Sequence, residues 1–142
     1  MNVFTYGTLM FPEVWQAVVG REFGTVEGTV CGFAILRVVD AVYPGMIELV
    51  EGAAIHGVVY LDVDRVSVER LDRFEGDCYE RRTLQINCTG GQRLTADAYV
   101  VLTSKRHILT SEPWARETFE ATGGLERFLG RYPGFTRVAG ES

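Results

Sequence analysis

The sequence Leu71-Asp72-Arg73-Phe74-Glu75-Gly76 ends a predicted helix and turns a carboxylate toward the interior of the domain. Successive side chains of a helix rotate by about 100°, so in a helix from Val66 to Glu75 the glutamate falls between Val68 and Leu71 on the apolar stripe. Three other charged side chains fall on the far side of the helix, namely Glu69, Arg70 and Arg73. Asp72 lies at the edge of the apolar stripe. Because burying a carboxylate is costly, this placement indicates chemistry rather than solvation.

Two effects are expected to raise the pKa of Glu75. Burial disfavours the charged form, and Gly76, a natural residue to follow a helix, leaves the carboxylate at the negative end of the helix dipole. A carboxylate with a raised pKa suits a general base at neutral pH, because it can take a proton and later return it. The alternative is an ion pair at the helix end with Arg81 or Arg82, which would also perturb the pKa.

Composition limits the function classes. The 142 residues are 46% hydrophobic and show no shift in composition, so residues 1–142 are predicted to form a single domain. The net charge of −5, without a basic stripe interleaved with aromatic residues, argues against nucleic acid as a partner. The chain shows neither a secretory leader nor a stretch long enough to cross a bilayer. We expect a soluble cytoplasmic protein without a membrane partner; its oligomeric state stays open.

Cysteine and histidine spacing predicts no metal site. Cys31, Cys78 and Cys88 are an odd number of cysteines and form no C-x-x-C pair. His56 and His107 lie far apart, and neither has a neighbour at ligand spacing. We therefore expect no disulfide framework. The free cysteines indicate a reducing compartment.

Short segments rich in β-branched and aromatic residues, punctuated by 16 glycines, predict a β-dominated fold. The first segments read as a strand from Val3 to Tyr6, a turn over Gly7-Thr8-Leu9-Met10 and a helix from Pro12 to Val19, closed by Gly20. Later strands are predicted around Gly24 to Val38, His56 to Leu61, Glu80 to Cys88 and Arg93 to Leu102, the last two joined by a hairpin turn at Thr89-Gly90-Gly91-Gln92.

The C-terminal part is predicted to carry a second surface helix from Ser111 to Thr122 and a short turn from Leu125 to Leu129. Helices fall between strands without regular alternation. The predicted fold class is therefore α+β, a small mixed β-barrel with helices packed outside it.

The first loop is a candidate binding site. In Tyr6-Gly7-Thr8-Leu9, consecutive backbone N–H groups before a helix could hold an anion or a developing oxyanion, and Gly7 permits close approach. Taken by itself, such a glycine-containing junction more often only connects two elements.

Read together, the segments resemble the γ-glutamylcyclotransferase family, in particular its AIG2-like and γ-glutamylamine cyclotransferase branch. Two segments carry most of this resemblance, the opening Tyr6-Gly7-Thr8-Leu9 and Leu71-Asp72-Arg73-Phe74-Glu75-Gly76. The further matching segments are Val3-Phe4-Thr5, Tyr43-Pro44-Gly45, His56-Gly57-Val58-Val59-Tyr60 and Tyr79-Glu80-Arg81-Arg82-Thr83. The C-terminal third matches no motif of the family.

The resemblance implies a γ-glutamylcyclotransferase-like barrel and a cofactor-independent enzyme acting on a small γ-glutamyl substrate. In the family, the α-amine of the substrate attacks its own γ-carbonyl and releases 5-oxoproline and an amine or amino acid. Tyr6, Gly7, Thr8 and Leu9 fall on the family's substrate-binding loop, and Glu75 falls on its catalytic acid and base. The loop would hold either the substrate carboxylate or the oxyanion.

Two nearby segments have open roles. Tyr79 and Arg81 could line the pocket or could simply be alternating strand residues. Tyr43-Pro44-Gly45 reads first as a turn and second as a pocket wall.

Three alternative functions remain. One is a cysteine enzyme with Cys78 as nucleophile and His56 or His107 as base. Another is a non-catalytic module that binds a metabolite or a protein in the same pocket. The third is related acyl chemistry, such as removal of a γ-glutamyl protecting group, which would use the same residues.

Overall fold

The computed structural model describes residues 1–39, 41, 43–52, 54–121 and 123–131. Within these ranges the chain forms a mixed α+β fold. The strands are β1 (Val3–Thr5), β2 (Thr25–Val30), β3 (Phe33–Val38), β4 (Pro44–Glu48), β5 (Ile55–Tyr60), β6 (Tyr79–Cys88), β7 (Arg93–Val101) and β8 (Leu109–Pro113). The helices are α1 (Pro12–Val19), α2 (Arg65–Glu75), α3 (Arg116–Ala121) and α4 (Gly124–Arg131), and short 3-10 turns cover Thr8–Met10 and Thr103–Ile108.

Five strands close into a barrel in the order β1-β5-β2-β6-β7. Neighbouring strands run antiparallel, except that β1 and β7 are parallel where Val3 lies opposite Asp97. The core consists of two buried hydrophobic clusters, and side chains along β7 point alternately into one and the other. Ala98 and Val100 belong to one cluster, and Tyr99 belongs to the other. The predicted small mixed barrel with flanking helices is confirmed.

The hairpin of β6 and β7 carries one wall of the barrel. Its register runs from Tyr79 opposite Val101 to Asn87 opposite Arg93. The turn at its tip contains Gly90 and Gly91, whose φ angles of 90° and 84° lie in the region that favours glycine. The predicted hairpin is confirmed, and its register places residues 79 to 81 beside residues 99 to 101.

Helices α1 and α2 begin and end within one residue of the positions predicted from the sequence. Helix α1 starts at Pro12, and Gly20 follows it with a φ of 75°. Helix α2 is capped by Asp64, whose side chain accepts a hydrogen bond of 2.8 Å from the backbone N–H of Ser67. Gly76 follows α2 with a φ of 79°. The predicted helix of residues 66 to 75 is confirmed and begins one residue earlier.

The apolar faces of α1 and α2 pack together outside the barrel. Leu71 is fully buried in this layer, beside Trp15 of α1. The Trp15 ring stacks on Tyr60 of β5, with ring centroids 3.6 Å apart and an interplanar angle of 4°. This packing fixes the direction in which the last turn of α2 points. No helix in the described ranges is long and apolar enough to cross a bilayer.

A second sheet, in the order β4-β3-β8, packs beside the barrel, and its strands β3 and β4 correct two sequence predictions. The predicted strand around Gly24 to Val38 is two strands, separated at Gly32 with a φ of 86°. Pro44 and Gly45, predicted first as a turn, begin strand β4. Proline is tolerated there because it is the first residue of an edge strand.

The predicted helix from Ser111 to Thr122 is wrong in its first part. Ser111 to Pro113 belong to β8, which pairs with β3 where Leu36 lies opposite Pro113. Helix α3 begins only at Arg116, and Thr122 lies outside the described residues. The predicted turn from Leu125 to Leu129 is part of helix α4. Long-range pairing with β3 decides the first of these differences.

Candidate active site

A pocket of about 130 Å³ opens where β1 ends and β6 begins. The structure brings all five residues singled out from the sequence to this pocket: Tyr6, Gly7, Thr8, Leu9 and Glu75. The remaining lining residues are Phe4, Thr5, Tyr43, Pro44, Phe74, Asp77, Cys78, Tyr79, Tyr99 and Ile108. Most of these side chains are aromatic or apolar, and no basic residue is among the lining residues in the described part of the chain.

Glu75 is the last residue of α2 and is partly exposed because it faces the pocket. Burial of its carboxyl group, together with the smaller effect of the negative charge of Asp72, raises the pKa of Glu75 from the ordinary 4.5 to about 8. The direction agrees with the sequence prediction. With a pKa near neutrality, this carboxyl group can exchange a proton under physiological conditions.

The alternative of an ion pair at the helix end is not what the structure shows. Arg81 pairs instead with Asp72 and with Asp97, and Arg82 lies 3.5 Å from Glu48. Within the described residues, no ion pair joins Glu75 to either arginine. The pKa of Glu75 is therefore set by burial in the pocket rather than by a neighbouring cation.

The loop opposite Glu75 presents backbone donors. Residues Thr8 to Met10 form a 3-10 turn whose first bond runs from the N–H of Met10 to the carbonyl of Gly7, at 3.0 Å. No side chain caps this turn, and the N–H groups of Gly7, Thr8 and Leu9 donate to no backbone carbonyl of the described residues. Free donors of this kind favour a negatively charged group.

Two tyrosine hydroxyls tie the walls of the pocket together. The Tyr6 hydroxyl donates to the carbonyl of Tyr99 at 2.6 Å and accepts from the N–H of Met46 at 3.2 Å. The Tyr79 hydroxyl donates to the carbonyl of Pro44 at 2.9 Å. The bonds to Met46 and Pro44 reach strand β4, and the bond to Tyr99 joins the first loop to β7. Because these hydroxyls already have partners, the two tyrosines shape the pocket mainly through their rings and backbone.

A family model described as gamma-glutamyl cyclotransferase, AIG2-like, matches residues 3–116. The chain belongs to this family. AIG2-like protein A of Arabidopsis thaliana is 35% identical over 85 residues, which are 60% of this chain and 51% of the relative. AIG2-like protein B of the same plant is 29% identical over 85 residues, 60% of this chain and 49% of the relative. The chain thus spans about half the length of these curated relatives.

Solved structures share the fold of this AIG2-like chain. A solution structure of an Arabidopsis thaliana protein has a TM-score of 0.68 at 25% identity, covering 93% of this chain and 88% of the other. A yeast gamma-glutamyl cyclotransferase specific to glutathione has a TM-score of 0.63 at 13% identity, covering 94% and 88%. At such low identity the yeast structure shows likeness of fold alone.

Sequence reasoning missed Tyr99 at the pocket of this AIG2-like chain. Tyr99 lines the pocket, and its hydroxyl donates to the carboxylate of Asp72 at 2.6 Å. Arg81, which the sequence singled out, lies outside the pocket lining and donates to the same carboxylate at 3.1 Å. The signal that could have found Tyr99 is hairpin register, since Tyr99 pairs with Arg81 across the two strands.

The cysteine alternative finds no base at the pocket. Cys78 is partly buried and lines the pocket beside Glu75. Both histidines, His56 and His107, are exposed, and neither is among the lining residues. Within the described residues, no group of three or more His, Cys, Asp or Glu side chains could hold a metal ion. The pocket lining does contain two carboxyl groups, those of Glu75 and Asp77.

Replacement of Tyr79 by Phe tests whether its hydroxyl braces the pocket or binds substrate. The bond to Pro44 predicts that Tyr79→Phe lowers the free energy of unfolding by about 1 kcal/mol, measured by urea denaturation, and changes kcat/KM less than about tenfold. The control is Thr110→Val, which removes a hydroxyl that donates to the Arg37 carbonyl at 3.1 Å, with both residues outside the pocket lining. A large loss of kcat/KM with unchanged stability would instead assign the hydroxyl to the substrate.

Proposed function

We propose that this protein is a γ-glutamylcyclotransferase that closes the γ-glutamyl group of a small substrate to 5-oxoproline and releases an amine or amino acid. The observation that carries the proposal is Glu75, a proton acceptor with a pKa of about 8 that shares one small pocket with the free amides of Gly7, Thr8 and Leu9. Membership of the family supports the reaction class, and the yeast structure bears a name with the same chemistry.

Glu75 would carry the protons of this reaction. Its carboxylate takes a proton from the substrate's α-ammonium, and the free amine attacks the γ-carbonyl of the same molecule. The carbonyl becomes a tetrahedral oxyanion. The protonated Glu75 then gives its proton to the departing nitrogen, the C–N bond breaks, and the carbonyl of the ring forms. The regained carboxylate of Glu75 takes the second proton from the ring nitrogen and passes it to the released amine. Nucleophile and electrophile are already tethered, so the protein supplies orientation, proton transfer and charge stabilisation.

The first loop would hold the negative charge. The pocket lining described by the structure contains no basic side chain, so a substrate carboxylate or an oxyanion would be held by uncharged hydrogen-bond donors. Gly7, Thr8 and Leu9 present consecutive N–H groups for one of these two charges. The aromatic walls, including Tyr43 and Tyr79, would exclude water from the reacting atoms.

A substrate panel tests the proposal. Purified protein is incubated with γ-glutamyl amino acids, γ-glutamyl amines and glutathione, and the released amine or amino acid is quantified for each. Thermal shift is recorded with the same compounds. We expect release from at least one class, which names the substrate. Binding that raises the melting temperature without any release would favour the non-catalytic module instead.

The pH dependence of kcat/KM follows from the raised pKa of Glu75. The base must be deprotonated in the free enzyme, so kcat/KM falls as the pH drops below about 8. A single proton gives a tenfold loss per pH unit, so the value at pH 6 is expected to be about one hundredth of the plateau. A profile that is flat down to pH 5 would contradict a general base at Glu75 with a raised pKa.

A further inference from the structure

Asp72 lies one helical turn before Glu75 and is held by donors from the barrel wall. Its Oδ1 accepts a hydrogen bond of 2.6 Å from the Tyr99 hydroxyl and one of 3.1 Å from Nε of Arg81. Residues three apart on a helix are neighbours, so Asp72 and Glu75 lie on adjacent parts of the same face. The carboxylate of Asp72 is therefore kept in one place beside the proposed base.

The arginine that holds Asp72 is itself fixed. Nη1 of Arg81 donates to Oδ2 of Asp97 at 2.8 Å, and Oδ1 of Asp97 accepts from the Thr83 hydroxyl at 2.9 Å. Register explains this arrangement, because Thr83 lies directly opposite Asp97 on the hairpin, and Arg81 lies opposite Tyr99. A chain of charge-assisted bonds thus runs from the rigid hairpin to the end of α2.

We propose that Asp72 is a positioning residue for Glu75: held by Tyr99 and Arg81, its carboxylate fixes the last turn of α2 against β7 and sets a negative charge beside the base. This role rests on the proposed function. The charge favours the protonated form of Glu75, which agrees with the contribution of Asp72 to the raised pKa. Arg81 opposes this effect, because its cation partly neutralises Asp72.

The other groups that face Glu75 are weaker sources of charge. The tyrosines around it, on four different segments, are Tyr6, Tyr43, Tyr79 and Tyr99. Burial raises the pKa of each hydroxyl, so all four stay neutral near pH 8. Asp77 and Cys78 line the pocket after the helix end, and Arg73 lies exposed on the other side of α2. Asp72 is the carboxylate with a fixed geometry toward the base.

The test is the titration of the Glu75 carboxyl carbon by ¹³C NMR in the free protein. Asp72→Asn keeps an oxygen that can accept from Tyr99 but removes the charge, so the Glu75 midpoint is expected to fall by about one pH unit. Arg81→Gln removes the neutralising cation, so the midpoint is expected to rise. A role limited to folding would not shift the two midpoints in opposite directions.

The control variant is Glu69→Gln, which removes an exposed carboxylate of α2 that pairs with Arg65 at 3.5 Å. Its Glu75 midpoint should match that of the parent. An unchanged midpoint in Asp72→Asn overturns the proposal, and so does a downward shift in Arg81→Gln. The titration needs no substrate, so a failure of the proposed function would leave it intact, whereas a failure of this proposal would leave product release intact.

Discussion

Replacing Glu75 by Gln is expected to lower kcat by roughly 10²- to 10⁴-fold, the range typical of a lost general acid and base. The amide has nearly the same shape as the carboxyl group but can neither take the proton from the α-ammonium nor return it to the leaving nitrogen. Substrate affinity should change little, because the loop amides that hold the negative charge lie on another segment. The assay is steady-state turnover at pH 8, with Glu69→Gln as the matched carboxylate-to-amide control on the same helix.

The same substitution makes a second, independent measurement possible. The pKa of Glu75 is raised in the folded protein to about 8 from an ordinary 4.5, so the folded state holds this proton more tightly than the unfolded state. As the pH rises from about 4.5 to 8, the parent therefore loses stability relative to Glu75→Gln. We expect the melting temperature of the variant to exceed that of the parent increasingly over this window.

The turnover measurement decides the catalytic role. A folded Glu75→Gln variant with near-parental turnover would remove Glu75 from the mechanism.

The second large effect is expected for Gly7→Val, which should weaken substrate binding at least about tenfold, or 1.4 kcal/mol, in calorimetry. A Cβ atom at Gly7 would lie 2.6 Å from Cγ of Pro44 and 3.0 Å from its Cδ. The first loop and strand β4 must then move apart. This movement weakens the hydrogen bond between the Tyr79 hydroxyl and the Pro44 carbonyl and displaces the N–H groups of the loop. Overpacking of this kind also costs about 1–3 kcal/mol of stability.

Gly28→Val separates the local effect from general destabilisation. A Cβ atom at Gly28 would meet Cγ2 of Ile86 at 2.6 Å, a comparable clash, but Gly28 lies on β2 and outside the pocket lining. This control should lower stability and leave the dissociation constant near the parental value. Equal affinities for the two variants would show that the first loop does not hold the substrate.

Local patterns in the sequence predicted the elements that local physics decides. The phase of α2 placed Glu75 among apolar residues, and glycines after both long helices marked their ends, because helix periodicity and left-handed conformations act within a few residues. The hairpin turn was equally clear from Gly90 and Gly91. These elements sufficed to predict a small mixed barrel and to bring five site residues into consideration.

What sequence reasoning missed depends on pairing between distant segments. Pro44 and Gly45 carry strong turn signals, yet β4 forms because it pairs with β3. Pro113 resembles a helix start, yet β8 is fixed by pairing with the same strand. Asp72 and Tyr99 become neighbours only through the closure of the barrel. No local pattern distinguishes these residues from ordinary surface or strand positions.

The surroundings of Gly7 also depend on a distant segment that local sequence patterns do not reveal. The sequence indicated that Gly7 lets a ligand approach the backbone closely, and the structure adds that the space beside its Cα is filled by Pro44. The identity of its neighbour required the second sheet.

The central claim is that the substrate's own amine, and not water, attacks the γ-carbonyl. The direct measurement is mass spectrometry of the product formed by the parent protein in H₂¹⁸O from the best substrate of the panel. Ring closure predicts 5-oxoproline without ¹⁸O, released in equal amount with the amine and lost in Glu75→Gln. Glutamate carrying one ¹⁸O in its γ-carboxyl group would show hydrolysis and contradict the account.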